Sequence, residues 1–112
     1  ANANYAFWRN VNGNYVRLGE LDGVQFAHTA DGYIAAPARS SAAEWEVPFY
    51  RVDPTALTPL LTLDVTADAD DQGHVTGFAC EIESAPGLAS LHMTRAAAQA
   101  KFCAEPAAKV FE

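Results

Sequence analysis

Aromatic and polar side chains are interleaved near the start of this 112-residue chain, where together they could bind a ligand. Trp8 and Asn10 precede an Asn12-Gly13 turn signal, and Tyr15 and Arg17 follow it. In a hairpin with a two-residue loop, Trp8 pairs with Arg17, and the four side chains share one face. Aromatic rings stack on the apolar faces of sugars, Asn and Arg bond hydroxyls, and the same mixture marks protein interfaces. We therefore predict that this face binds a glycan or a protein partner.

The assignment of the two hairpin faces has an alternative. The other face carries Phe7, Val16 and Leu18, with Phe7 opposite Leu18, and we expect that apolar face to be the core. If the fold buries the aromatic face instead, Trp8 packs inside and Arg17 stacks on its ring as a cation–π pair. Both assignments agree with the alternation of side chains along a strand.

Paired carboxylates raise the second chemical hypothesis. Glu44 and Glu46 are two residues apart in a predicted strand, so both carboxylates face one side. A glycosidase needs two carboxylates across a cleft, roughly 5–10 Å apart. The chain has no Gly-x-Ser-x-Gly nucleophile motif and no glycine-rich phosphate loop. We therefore predict a protein that is not an enzyme, with a small hydrolase using Glu44 or Glu46 as an alternative.

Metal and cofactor motifs are incomplete. Residues 68–73 match the start of an EF-hand calcium loop, but its twelfth position is Ala79 rather than Glu, and strands flank it. A looser calcium site between Asp68, Asp70 and Asp71 stays open beside the alternative of a solvated hairpin tip. The histidines are too far apart in sequence to supply a ligand pair: His28, His74 and His92. We predict no metal and no cofactor.

The two cysteines favour a disulfide. A Cys80–Cys103 bond closes a loop of about 24 residues, worth ~3 kcal/mol in the chain-entropy model. The alternative is a pair of buried reduced thiols. The chain opens Ala-Asn-Ala without Met, as if a signal peptide had been cleaved. Disulfides persist in oxidising compartments, so we predict a secreted, extracellular protein.

The charge balance excludes some partners. The net charge is −7, and the seven basic residues are scattered singly. Nucleic acids and anionic membranes bind clustered Lys and Arg, so we predict neither as a partner. No apolar run approaches the 18 residues that a membrane span requires, so membrane insertion is not expected.

Three turn signals about nine residues apart predict the first half of the fold. Asn12-Gly13, Asp22-Gly23 and Asp31-Gly32 suit two-residue hairpin turns because Gly adopts a positive φ without steric cost. They predict a four-stranded antiparallel meander. Its strands are expected at residues 5–11, 14–21, 24–30 and 33–37.

A fifth strand is predicted at residues 44–52, after a loop at residues 38–43. Trp45, Val47 and Phe49 share its core face. Pro48 cannot donate a backbone hydrogen bond, which predicts an edge strand or a bulge. Such an edge could support a homodimer by β-pairing. Pro48, Glu44 and Glu46 oppose this pairing, because proline and charges protect strand edges.

The last third of the chain predicts a hairpin and a helix. Leu61, Leu63 and Val65 alternate with polar residues, and a strand from Val75 to Ile82 returns with Phe78, Cys80 and Ile82 facing one way. Residues 88–93 could extend as a short strand. Thr94 caps a helix over residues 95–103. Its apolar stripe is predicted at three positions: Ala96, Ala100 and Cys103.

These elements predict one mainly β domain over residues 1–112. Its architecture is an antiparallel β-sandwich or small open barrel of about seven strands, with a short C-terminal helix pinned by the disulfide. The function expected first is a secreted recognition module that uses the Trp8 face. The alternatives are a secreted inhibitor, effector or toxin-like protein acting through the loop at residues 38–43 or 53–59, and the hydrolase.

Overall fold

The computed structural model describes residues 2–111, which form eight strands, two α-helices and a final 3-10 turn. The strands are β1 (Ala3–Val11), β2 (Asn14–Gly23), β3 (Ala27–His28), β4 (Ile34–Ala35), β5 (Ala38–Ser41), β6 (Glu44–Val52), β7 (Leu57–Ala69) and β8 (Val75–Ser84). The helices are α1 (Leu88–Leu91) and α2 (Arg95–Cys103), followed by the 3-10 turn Pro106–Ala108.

The strands form two antiparallel sheets. β1 and β2 make a two-stranded hairpin, which we call the arm. The other strands make the main sheet in the order β3-β4-β6-β7-β8, with β5 also paired to β6. The expectation of a mainly β, antiparallel fold with a short C-terminal helix is confirmed, and neither sheet closes into a barrel within residues 2–111.

Two of the three predicted turns are present. Asn12 and Gly13 have φ values of 53° and 87° and join β1 to β2 in the predicted two-residue loop. Gly32 has a φ of 83° in the turn between β3 and β4, but this loop has three residues, 30–32, because the N–H of Thr29 donates to the carbonyl oxygen of Tyr33. The Asp22-Gly23 turn was a wrong prediction, because β2 continues to Gly23, which pairs with Ala3. A Cβ at Gly23 would lie 3.1 Å from the carbonyl oxygen of Pro37, so this glycine serves a close approach of two segments. The four-stranded meander is therefore wrong, since the arm is a separate sheet.

The segment around β6 differs from the prediction in two respects. The predicted loop at residues 38–43 is largely strand β5, which pairs with β6. β6 is an interior strand rather than an edge, with β4 and β5 on one side and β7 on the other. Pro48 fits there because the N–H and C=O of a strand residue point to the same side. Its carbonyl oxygen accepts from the N–H of Ala36 at 3.0 Å, so its missing N–H faces the break between β4 and β5.

The main core lies between one face of the main sheet and α2. The side chains buried there are Ala35, Val47, Phe49, Leu61, Leu63, Val65, Ile82, Ala98, Phe102 and Ala108. Phe49 meets Phe102 edge to face, with 4.8 Å between the ring centroids. Trp45 packs against the same core, so the predicted core face of β6 is confirmed. The α2 prediction is also confirmed, and Oγ1 of Thr94 accepts from the N–H of Ala97.

Two details of the C-terminal third were wrong. The residues of α2 that are buried are Ala98 and Phe102, while Ala96 and Ala100 are exposed. Phe102 has the largest apolar side chain of the helix, and its burial sets the rotation of α2 about its axis. The predicted strand at residues 88–93 is instead the single helical turn α1 and its end.

The opposite face of the main sheet is covered at one end by the base of the arm. Leu21, Ile34 and Ala36 are buried there. Partly buried apolar side chains surround them: Phe7, Phe26, Tyr50, Val52 and Leu57. The radius of gyration is 15.2 Å, whereas a compact chain of this length has ~13 Å. The molecule is thus elongated. No helix within residues 2–111 has the length and apolar character to cross a membrane.

Candidate functional site

The arm brings the four predicted binding residues onto one face. Trp8 pairs directly with Arg17, and Asn10 pairs directly with Tyr15, as the two-residue loop predicted. Directly opposed residues of an antiparallel pair have Cβ atoms about 4.5–5.5 Å apart, so the four side chains are neighbours. We call this set the outer face of the arm.

A β-bulge separates the covered base of the arm from its free end. Phe7 pairs with Gly19 rather than with Leu18, so that predicted pair is wrong, and Leu18 is the extra residue of β2. Gly19 has a φ of 148°, a value that side chains disfavour. Bulges bend a strand and increase its twist. A glycine inside a strand pattern was the available sequence signal for this irregularity.

The outer face is exposed to solvent. Trp8 is 56% exposed and Tyr15 is 70% exposed, and Asn10 and Arg17 are exposed too. The other face carries Phe7, whose ring meets Phe26 at 4.9 Å. The alternative prediction, in which Trp8 packs inside the fold, is therefore wrong.

Hydrogen bonds position the two polar residues of the outer face. The guanidinium of Arg17 forms an ion pair with Glu20, a partner that the sequence analysis missed. The pair holds the guanidinium against β2 and offsets its charge. Oδ1 of Asn10 accepts from the N–H of Gly13 at 2.9 Å, which supports the turn. Within the described chain, the amide nitrogen of Asn10 remains as a donor for a ligand.

Carboxylates form a row on the uncovered part of the main sheet. Glu46 pairs with Asp64 across β6 and β7, and Asp64 pairs with Glu81 across β7 and β8. Glu44 and Glu83 flank the row, and like charges directly opposite one another destabilise a sheet. Glu44 and Glu46 were predicted from their spacing, whereas the other three reach the row through strand pairing and have no local sequence signal.

The row changes the proton affinity of two of its members. A hydrogen bond with Asp64 is the largest cause that raises the pKa of Glu44, followed by the charge of Asp64. Two ionised carboxylates are both acceptors, so such a bond requires one of them to carry a proton. Loss of hydration is the largest cause that raises the pKa of Glu83, followed by the charges of Glu46 and Asp64.

Three cavities in the described chain lie away from this row. A cavity of about 100 Å³ lies beside the disulfide, between Phe78 and Phe111. A shallow groove of about 690 Å³ runs along α1 and the start of α2, and a third depression of about 320 Å³ lies beside Arg39. Glu44 and Glu46 line none of the three. The cleft that the hydrolase hypothesis requires is not among these cavities.

Asp70 supports the β7–β8 turn. Oδ1 of Asp70 accepts from the N–H groups of Gln72 and His74, at 2.9 Å and 2.8 Å. The bond from the N–H of His74 is the largest cause that lowers the pKa of Asp70. In residues 2–111 no three His, Cys, Asp or Glu side chains are grouped so as to hold a metal ion.

The disulfide joins the sheet to the helix. Cys80 of β8 is bonded to Cys103 at the end of α2, with 6.0 Å between the Cα atoms, as the sequence predicted.

Comparison of the chain with protein-family models, curated proteins and solved structures gave no match. Its function therefore has to be inferred from its own residues.

Proposed function

We propose that this protein is a secreted recognition module that binds a glycan or a protein partner through the outer face of the arm. The observation that carries the proposal is the exposure of Trp8 and Tyr15 on neighbouring cross-strand pairs. Single exposed aromatic residues are ordinary, but two exposed aromatic residues on neighbouring cross-strand pairs, with polar neighbours, form a surface suited to binding.

The chemistry of the outer face suits a sugar or a protein surface. Indole and phenol rings provide large, rigid apolar contact areas that lose little conformational entropy on binding. Arg17 is already held by Glu20, so less side-chain entropy is lost when its remaining N–H groups bond a ligand. Because Glu20 offsets the Arg17 charge, the face favours a ligand without strong net charge.

The disulfide supports action outside the cell. Disulfides form and persist in oxidising compartments and are rare in the cytosol. Cys80 and Cys103 are both bonded, so neither is a free thiol in the described chain. An extracellular location also gives access to glycans and to the proteins of other cells.

A glycan array followed by a pull-down from extracellular protein tests the proposal. The oxidised protein should give a saturable signal, and Trp8→Ala should remove at least nine-tenths of it without loss of folding. Phe78→Ala is the matched control, since Phe78 is an aromatic residue of similar exposure, 49%, on β8. Equal binding by wild type and Trp8→Ala would exclude the outer face as the binding site.

A hydrolase is the second candidate, and the strand pairing that brings Asp64 and Glu81 beside Glu46 is the observation that favours it. A carboxyl group that keeps its proton can act as a general acid beside an ionised partner. Glu44→Gln should then abolish hydrolysis of a panel of glycoside and ester substrates, and Glu105→Gln should leave it unchanged. Absence of turnover by the wild-type protein across the panel would remove this candidate.

A further inference from the structure

The outer edge of β1 is an unpaired strand edge. Within residues 2–111, β1 pairs with β2 and with no other strand. Its nine residues include no Pro and no acidic residue, and Arg9 is its single charge. An edge strand exposes backbone N–H and C=O groups that can pair with another strand, and natural edges are usually protected by charges, Pro or covering elements. β1 has little of this protection.

The β8 edge of the main sheet is an example of a protected edge. At β8 the N–H of Ile82 donates to Oε1 of Gln99 at 3.0 Å, and Arg95 donates to the carbonyl oxygen of Ile82 at 2.9 Å. Side chains of α2 therefore occupy this edge. Glu81 and Glu83 add two charges to it. The strand at residues 44–52, where the sequence analysis expected an edge, has neighbours on both sides.

The arm is also an incomplete sheet. A two-stranded hairpin is marginally stable in water unless further strands or a packed face support it. Only the base of the arm has such support, because Phe7 and Leu21 pack on the main sheet while Arg9 and Val11, nearer the turn, are exposed on that same side. A third strand added at β1 would complete the sheet along its whole length.

We infer that β1 pairs antiparallel with β1 of a second copy of this chain, so that two arms form one four-stranded sheet. A two-fold axis at Phe7 places Tyr5 opposite Arg9 of the other copy and Ala6 opposite Trp8. The strand's single charge then faces an aromatic ring instead of itself, so the strand is self-complementary.

The distribution of charge favours this occupant. Up to Gly19 the chain carries two arginines and no acidic residue, and all fourteen acidic residues follow. Because Glu20 offsets the charge of Arg17, Arg9 is the uncompensated charge at the free end of the arm. Antiparallel pairing places the two acidic main sheets at opposite ends of the joined arms. The free end of each arm, with the positive charge of Arg9, then points towards the acidic end of the other copy, so this orientation gives the least repulsion between two copies that each carry a net charge of −7.

The pairing would double the binding surface. A two-fold axis perpendicular to the joined sheet keeps both outer faces on one side, with two copies of Trp8 and Tyr15 on one surface. A ligand with repeated sugars or repeated epitopes could bind both copies and gain avidity. This consequence rests on the proposed function, whereas the pairing itself does not.

Sedimentation velocity over a range of protein concentrations tests the pairing. We expect a reversible dimer in the wild type, and Tyr5→Lys should raise its dissociation constant roughly tenfold or more, because the pairing places the new lysine opposite Arg9 of the other copy. Phe78→Lys makes the same change at an aromatic residue of similar exposure on β8 and should leave the dimer unchanged. A wild type that stays monomeric, or a dimer equally strong in Tyr5→Lys, would overturn the inference.

Hydrogen exchange of the unmodified chain gives a second test that needs no variant. Residues that flank a two-residue hairpin loop exchange both backbone bonds, so the N–H of Val11 points to β2 and that of Asn10 points outward. Dimer formation should slow exchange of the outward N–H groups of Asn10 and Trp8. Dimers without this protection would locate the interface elsewhere. A wild-type chain that stays monomeric but still binds a ligand through Trp8 would reject the pairing and keep the proposed function.

Discussion

At the scale of single residues, the carboxylates make opposite contributions to stability as pH changes. The pKa of Glu44 is raised, so the folded state binds its proton more tightly than the unfolded state does. The pKa of Asp53 is lowered, first by the hydrogen bond from Thr58 and then by the bond from Arg51. The pKa of Asp70 is lowered as well. The protein should therefore be most stable in mild acid.

The free energy of unfolding should pass through a maximum in mild acid. The free energy of unfolding should rise as pH falls from neutral towards 4.5, the ordinary pKa of Glu, because Glu44 takes up its proton more readily in the folded state. Below 3.8, the ordinary pKa of Asp, it should fall as Asp53 and Asp70 are protonated. Urea unfolding monitored by circular dichroism across this range measures both slopes.

Glu44→Gln tests whether the row of carboxylates causes the rise in stability on acidification. The variant should be more stable than wild type at neutral pH and should lose part of the rise on acidification. Glu105→Gln removes the same charge near the end of the chain and should keep the wild-type slope. A Glu44→Gln slope equal to that of wild type would show that the row does not control this window.

At the scale of elements, one glycine fixes how α1 meets the main sheet. The N–H of Gly87 donates to the carbonyl oxygen of Leu60 at 2.8 Å. A Cβ at position 87 would lie 2.8 Å from Cα of Leu60, a backbone atom that cannot move independently. Leu60 is itself fully buried and is the extra residue of β7 at the bulge opposite Phe49 and Tyr50.

Gly87→Ala should therefore destabilise the protein by roughly 1–3 kcal/mol, the range typical of overpacking in a fitted site. Gly77→Ala is the matched control in β8, since the nearest atom to its added Cβ would be a side-chain oxygen of Asp68 at 3.9 Å. Thermal and urea unfolding of both variants give the comparison. Equal stability of the two variants would contradict the role assigned to the close approach.

At the scale of the whole molecule, the disulfide links the two layers of the main core. Cys80 and Cys103 close a loop that contains the second half of β8, α1 and α2. Replacing both by Ser should lower the free energy of unfolding by ~3 kcal/mol, because the unfolded chain regains the freedom of that loop. Phe102 and Ala98 still anchor α2, so the native fold should persist at neutral pH. Urea unfolding of wild type and double variant measures the difference, and unchanged stability would count against the loop-entropy account.

The sequence by itself determined the features that depend on neighbours along the chain. Asn12-Gly13 requires the positive φ values of a two-residue turn, and that turn sets the register of Trp8 with Arg17. Thr94 supplies an acceptor to the first turn of α2 whatever the helix packs against. Alternation of apolar and polar residues likewise identified the β7–β8 hairpin.

The tertiary structure alone decided which strands are neighbours and which faces are covered. Gly23 looks like a turn residue, but its role is the contact with Pro37, fourteen residues later. Pro48 predicts an edge or a bulge by its missing N–H, and it lies in an interior strand opposite a break, beside a register shift at Phe49 and Tyr50. Asp64 and Glu81 join Glu46 through pairing across three strands. The physical reason is common to these cases: local preferences restrict single residues and adjacent turns, whereas burial and strand pairing depend on segments distant in sequence, whose packing must be satisfied together.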